Sequence, residues 1–188
     1  MHGFCRRKDY IWGYATATLD EAVILRKKGI EKPILVLGTV FPDQRAAMIE
    51  HEVRMTLYTE EMAAEVSDLA ARMGKDVHIH IKLDTGMSRL GFPICEESAD
   101  AIERISKMPH LQMEGMFTHF AKADEEDKSF TEKQLNAYLW MKQRLEEKGV
   151  QFSYYHCSNS AGIIDVPELI WIWSEREFPF TDYILPEK

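Results

Sequence analysis

The feature of this sequence that most restricts its fold is a repeated alternation, in which short apolar or β-branched runs are each followed by a longer stretch of helical period. That order marks successive βα units joined into a parallel sheet. The first run, Tyr14 to Thr18, leads past Asp20 into a stretch where Ala22, Val23, Leu25 and Ile30 can share one side of a helix closed by Gly29. The second, Ile34-Leu35-Val36-Leu37, is apolar throughout, as a strand covered on both faces requires, and Pro42 suits the first turn of the next helix. Met55 to Tyr58 is the third run. Thr59 stands where it can cap a helix reaching about Gly74.

The fourth run, Val77 to Leu83, alternates residue types and is followed by the turn residues Asp84-Thr85-Gly86. A helix from about Glu97 to Met108 comes next, then a fifth run from Leu111 to Phe120, an amphipathic stretch from Thr131 to Lys148, and a sixth run from Phe152 to Cys157. Six strands separated by five helices, with no Gly-rich phosphate fingerprint after the first strand, fit an α/β fold of the partial (β/α)8 TIM-type barrel kind better than a doubly wound sheet. The barrel unit is expected over residues 1–165. Residues 166–188, with Pro167, Pro179 and Pro186 and no clear period, are expected to form a divergent tail.

With 188 residues and 45% hydrophobic content, one sizeable core is possible without disulfides or metals. A formal charge of -8 with no Lys/Arg block argues against a nucleic-acid partner. Cys5, Cys95 and Cys157 form no CxxC pair and no zinc spacing, so no metal and a reduced, cytoplasmic setting are expected. The basic start from Met1 to Lys8 leads into no apolar segment, and no run is long enough for a membrane span.

In a barrel, chemistry gathers where strands end at their C-terminal edge. Three segments fall there: Lys82 to Gly91, Thr118-His119-Phe120, and His156 to Ala161. Arg89 lies in a Gly-bracketed loop, where a guanidinium fork could reach a phenolate or carboxylate; alone it would be an ordinary surface arginine. Lys82 puts a cation in an apolar strand, either snorkelling at the strand's end or held in the barrel interior, paired with a carboxylate or modified. His119 is either a satisfied core histidine or a partner of a catalytic neighbour. Asn159 and Ser160 precede a short helical stretch, whose free N–H groups with the Ser160 hydroxyl would make an N-cap, a phosphate cup, or both. His78 and His80 share a strand face without a third metal ligand and read as packing or supporting residues. Neither Ser158 nor Ser160 sits in a hydrolase elbow.

Together and in this order, the three segments, with Ala123-Asp124, Leu19-Asp20-Glu21-Ala22 and Pro33 to Gly38, resemble the alanine racemase family from about Thr18 to Asp165. The resemblance implies an amino-acid racemase, an isomerase holding pyridoxal 5'-phosphate in a barrel mouth and interconverting L- and D-alanine for cell-wall peptidoglycan. It implies a small amino-acid substrate and a homodimer, with about strands 2 to 7 of the family barrel present here. By the same resemblance, Arg89 would bond the cofactor's phenolic oxygen and approach the substrate carboxylate. Lys82 would be the strand lysine that is carbamylated in some relatives and orients that arginine. His119 would stand behind them, bonded to an arginine facing the pyridine nitrogen, and Asn159 and Ser160 would hold the phosphate.

The family's V-x-K-A-N-A-Y-G-H-G strand, which carries the Schiff-base lysine, has no counterpart here, and Lys8 is no substitute. Arg176, in Ser174-Glu175-Arg176-Glu177, does not match the family's pyridine-facing R-x-G segment, and the β-domain with the second base is absent. Racemisation needs bases on both faces of the α-carbon, so little turnover is expected from these residues alone. The alternative expectation is a non-catalytic cofactor-binding or interaction remnant of the barrel.

Overall fold

The computed structural model describes residues 12–157. Asn159, Ser160, Arg176, Lys8 and the expected tail from residue 166 lie outside them. Strands and helices alternate along the chain: β1 (Tyr14–Thr16), α1 (Leu19–Lys27), β2 (Ile34–Val36), α2 (Arg45–Glu50), β3 (Arg54–Leu57), α3 (Glu60–Met73), β4 (Val77–Asp84), β5 (Phe92–Pro93), α4 (Glu96–Ile105), β6 (Leu111–Phe117), α5 (Ser129–Glu147) and β7 (Tyr154–His156).

Local chemistry sets the helix starts. Thr18 caps α1 by accepting from the Glu21 N–H at 3.4 Å, while Glu21 Oε2 accepts from the Ala17 and Thr18 N–H groups at 2.8 and 3.2 Å. This reciprocal box begins the helix at Leu19, one residue before Asp20. Thr59 caps α3 as expected, accepting from Met62 N–H at 3.1 Å, and Gly74 closes that helix with a φ of 62° that few side chains tolerate.

Strands β1, β2, β3, β4, β6 and β7 pair in that order, and every pair is parallel. A doubly wound sheet would reverse direction at its first strand; here each strand adds beyond the last, so the sheet is a singly wound barrel wall. Six parallel strands thus form a curled half-barrel. The two-residue β5, which pairs with Leu83 and Asp84 of β4, is too short to leave any periodic trace in sequence.

One face of the wall is covered by the helices. Ile79, Ile81 and Leu83 of β4 join Val66 and Ala70 of α3, Ile102 of α4 and Met141 of α5 in the main core. The two-residue repeat of a strand sends His78, His80 and Lys82 to the opposite face, the barrel interior. A polar interior and an apolar outer face explain why β4 alternates residue types.

Candidate functional site

Lys82, Phe117 and His156 are register partners on β4, β6 and β7, so all three stand at one level near the C-terminal ends of their strands. The Lys82 ammonium lies 4.4 Å from the Phe117 ring centre, and the Phe117 ring stacks on His156 at 4.7 Å and 4°. Lys82 is only 4% exposed, which excludes the snorkelling alternative. Among the described residues no salt bridge to Lys82 is present. Burial, then the Arg89 charge, lowers its pKa to about 8, against an opposing pull from Asp84.

Beyond β4, the Asp84 carboxylate accepts from the N–H groups of Gly86 and Ser88, each at 3.0 Å. That commits the nearest anion to shaping the loop. Gly91, at φ 137°, packs so closely on the strand that a Cβ would fall 2.3 Å from the Asp84 nitrogen. Arg89 is thereby held on an exposed, tightly folded loop. Its charge, with that of Lys82, acts on His119, whose pKa is lowered first by burial and then by those two cations. Lys82 stands near the end of β4, Arg89 in the loop that follows it, and the half-buried His119 in the loop after β6, the strand paired with β4; β6 ends at Phe117, so His119 lies past the strand.

Gln134 of α5, fully buried, ties the two loops together. Its Nε2 donates to Thr85 Oγ1 at 3.1 Å and to the His119 carbonyl at 3.3 Å, and its Oε1 accepts from Ala121 N–H at 2.9 Å. Thr118 Oγ1 donates to the Leu83 carbonyl at 3.0 Å, which leaves Thr85 as donor in the 2.8 Å Thr85–Thr118 contact. Sequence reasoning missed Gln134; a polar residue on the core-facing stripe of an amphipathic helix was its only signal.

Below the rim, Arg54 Nε lies 3.2 Å from Glu114 Oε2, Glu114 Oε2 lies 3.1 Å from His80 Nε2, and His80 Nδ1 lies 3.0 Å from His156 Nε2. Burial raises the Glu114 pKa, but hydrogen bonds from His80 and Arg54 and the Arg54 charge outweigh it and leave the carboxyl below its ordinary value. Burial depresses His80, against the pull of Glu114, and depresses His156 strongly, helped by His80 and Lys82. His78 and His80 read from sequence as packing or supporting residues; Arg54 and Glu114 were not singled out, and His156 entered only as the first residue of the segment His156 to Ala161.

The donor set at the rim suits an anionic, planar group such as pyridoxal phosphate. It holds two cations, with the Asp84 carboxylate turned to backbone amides, beside an aromatic ring and a histidine whose pKa burial lowers. A shallow cavity of about 350 Å³, lined by Asp84, Thr85, Gly86, Ser88, Gly91 and Ala137 among others, includes none of Lys82, Arg89 and His119 and is a separate surface of the loop.

A singly wound parallel wall with its polar groups gathered at the C-terminal strand ends defines a (β/α)-barrel-type domain. Within that class the chain belongs to the alanine racemase family, since the family model for the alanine racemase N-terminal domain matches residues 6–172. The chain is 45% identical to the alanine racemase of Clostridium tetani over 155 residues, covering 82% of this chain and 40% of that protein. It superposes on an alanine racemase structure from Clostridium difficile 630 with TM-score 0.82 and 41% identity, covering 84% of this chain and 41% of that one. A histidine racemase structure from Leuconostoc mesenteroides matches with TM-score 0.71 and 30% identity over 79% of this chain and 39% of that one. The chain thus spans about 40% of the length of the relatives it matches.

Proposed function

We propose that these residues form the cofactor-holding wall of a pyridoxal-phosphate-dependent alanine racemase, which interconverts L- and D-alanine and supplies D-alanine for peptidoglycan. The observation that carries this reading is that Lys82, Arg89 and His119 stand at or just beyond the C-terminal ends of the paired strands β4 and β6. When bound, pyridoxal phosphate withdraws electrons from the substrate's α-carbon and makes its proton acidic. Arg89 supplies a planar fork for the cofactor's phenolic oxygen and the substrate carboxylate. Asn159 and Ser160, outside the described residues, hold the phosphate.

Lys82 in its free form repels Arg89. Its lowered pKa, about 8, leaves part of the amine neutral near pH 7, and a neutral amine can add to CO2, losing a proton and becoming a carbamate. The carbamate's negative charge would turn repulsion of Arg89 into pairing and aim the guanidinium. His119, kept neutral, acts as a hydrogen-bond partner and not as a third cation. Substrate choice between alanine and serine is expected to rest on groups outside these residues, and the two bases are expected to lie there as well. The 188 residues hold no V-x-K-A-N-A-Y-G-H-G segment, so little turnover is expected of them by themselves. A cytoplasmic, reduced setting rests on the wide spacing of Cys5, Cys95 and Cys157, which contains no CxxC pair.

Titrating the chain with pyridoxal phosphate and following its absorbance tests the reading. Binding that retains the free-aldehyde spectrum and is lost in Arg89→Ala supports it; no binding at any rim variant or wild type rejects it. A stereospecific assay for D-alanine checks the missing-base argument, which robust turnover would refute. The β1 and β7 ends of the sheet, unpaired among the described residues, favour the second reading, a non-catalytic binding or interaction module.

A further inference from the structure

The line Arg54, Glu114, His80, His156 rises through the half-barrel interior and reaches the level of Lys82. Its proton arrangement follows from its lower end. Glu114 is ionised and takes donors only; Arg54 reaches both its oxygens, at 3.2 and 3.4 Å, and His78 Nδ1 lies 3.3 Å from Oε1. His80 must therefore carry its proton on Nε2, facing Glu114, because a bare nitrogen there would set two acceptors 3.1 Å apart. With His80 neutral in its desolvated site, Nδ1 is an acceptor, so His156 must donate from Nε2 across 3.0 Å. The same rule then fixes the far side of the His156 ring, where Nδ1 carries no proton.

We propose that Arg54, Glu114 and His80 are positioning residues for His156: one directed line of hydrogen bonds holds its ring as the Nε2–H tautomer and presents Nδ1 as an acceptor at the level of Lys82. Gly115 supports the arrangement by leaving room for the His80 ring, since a Cβ there would fall 2.3 Å from His80 Nδ1. Phe117 lies between β4 and β7 in the strand order, with the Lys82 ammonium over it and the His156 ring stacked against it. While Lys82 is a free ammonium, a neutral His156 spares it the opposition an imidazolium would exert through the Phe117 ring. What the acceptor serves rests on reading the rim as a cofactor mouth; the proton arrangement does not.

Long-range nitrogen–proton spectra of the histidine rings, recorded on the full chain without cofactor at about pH 7, test the proposal directly. The expected result is His80 and His156 both neutral and both protonated on Nε2, with the assignments made by loss of signals in His80→Phe and His156→Phe. In Glu114→Leu the single tautomer of each ring should give way to a mixture of both. His156 found with its proton on Nδ1, or His80 carrying two ring protons in the wild-type chain, overturns the proposal without recourse to any variant. Should pyridoxal phosphate fail to bind while the tautomers stand as expected, the cofactor reading falls and the positioning line survives.

Discussion

Lys82 shows how a single side chain can oppose stability and still be retained by a site. Its folded pKa, about 8, lies below the unbound value of 10.5, so between those limits the unfolded chain binds more protons. Stability contributed at this position is therefore present at high pH and lost as pH falls through that window. Lys82→Met should raise stability at pH 7 by about 1 to 3 kcal/mol and flatten the pH dependence of the urea midpoint above about pH 8. An unchanged or lowered midpoint at pH 7 would show that the ammonium is better satisfied by Phe117 than its burial suggests. Gly115→Ala works in the opposite direction. The added Cβ would meet the His80 ring at 2.3 and 2.5 Å, and that ring is bonded at both nitrogens, so a loss of about 1 to 3 kcal/mol is expected in the same measurement.

Among the elements, α5 does more than cover the wall. Gln134 reaches from its buried face to the loops after β4 and β6, and replacing it with leucine would strand the Ala121 N–H and free both loops from each other. Gln134→Leu should weaken pyridoxal phosphate binding about tenfold or more by absorbance titration, with the helical circular dichroism unchanged; equal affinity would mean the loops hold themselves. How far such elements were legible depended on the physics that writes them. The six long-range strands and five helices left their mark through hydrophobic period, and Thr59 and Gly74 through cap chemistry. Lys82, Arg89 and His119 were picked out because residues at strand ends in a barrel are where polar groups concentrate. Gln134, Arg54 and Glu114 were not, because their roles arise from partners 13 to 60 residues away, and a sequence spells out no contact at that separation. The β4–β6 register shift beside His80, which sets Gly115 opposite that ring, was equally invisible.

At the scale of the whole molecule, charge is divided between two very different places. Outside, Arg104 bridges α4 to Glu60 of α3, and Arg144 and Lys148 bridge to Glu96 and Asp100 of α4. These pairs are exposed and contribute little individually. Inside, His80, His119 and His156 all have pKa values below the ordinary 6.5, each chiefly through burial. As pH falls below 6.5, the unfolded chain takes up protons that the folded chain refuses, so stability drops. The thermal midpoint should therefore decline between about pH 6.5 and 5, and adding about 0.5 M salt should weaken the outer pairs while leaving that decline in place. A midpoint flat across this interval would mean that the interior histidines accept protons in the folded state, and the polar interior would then have to be open to water.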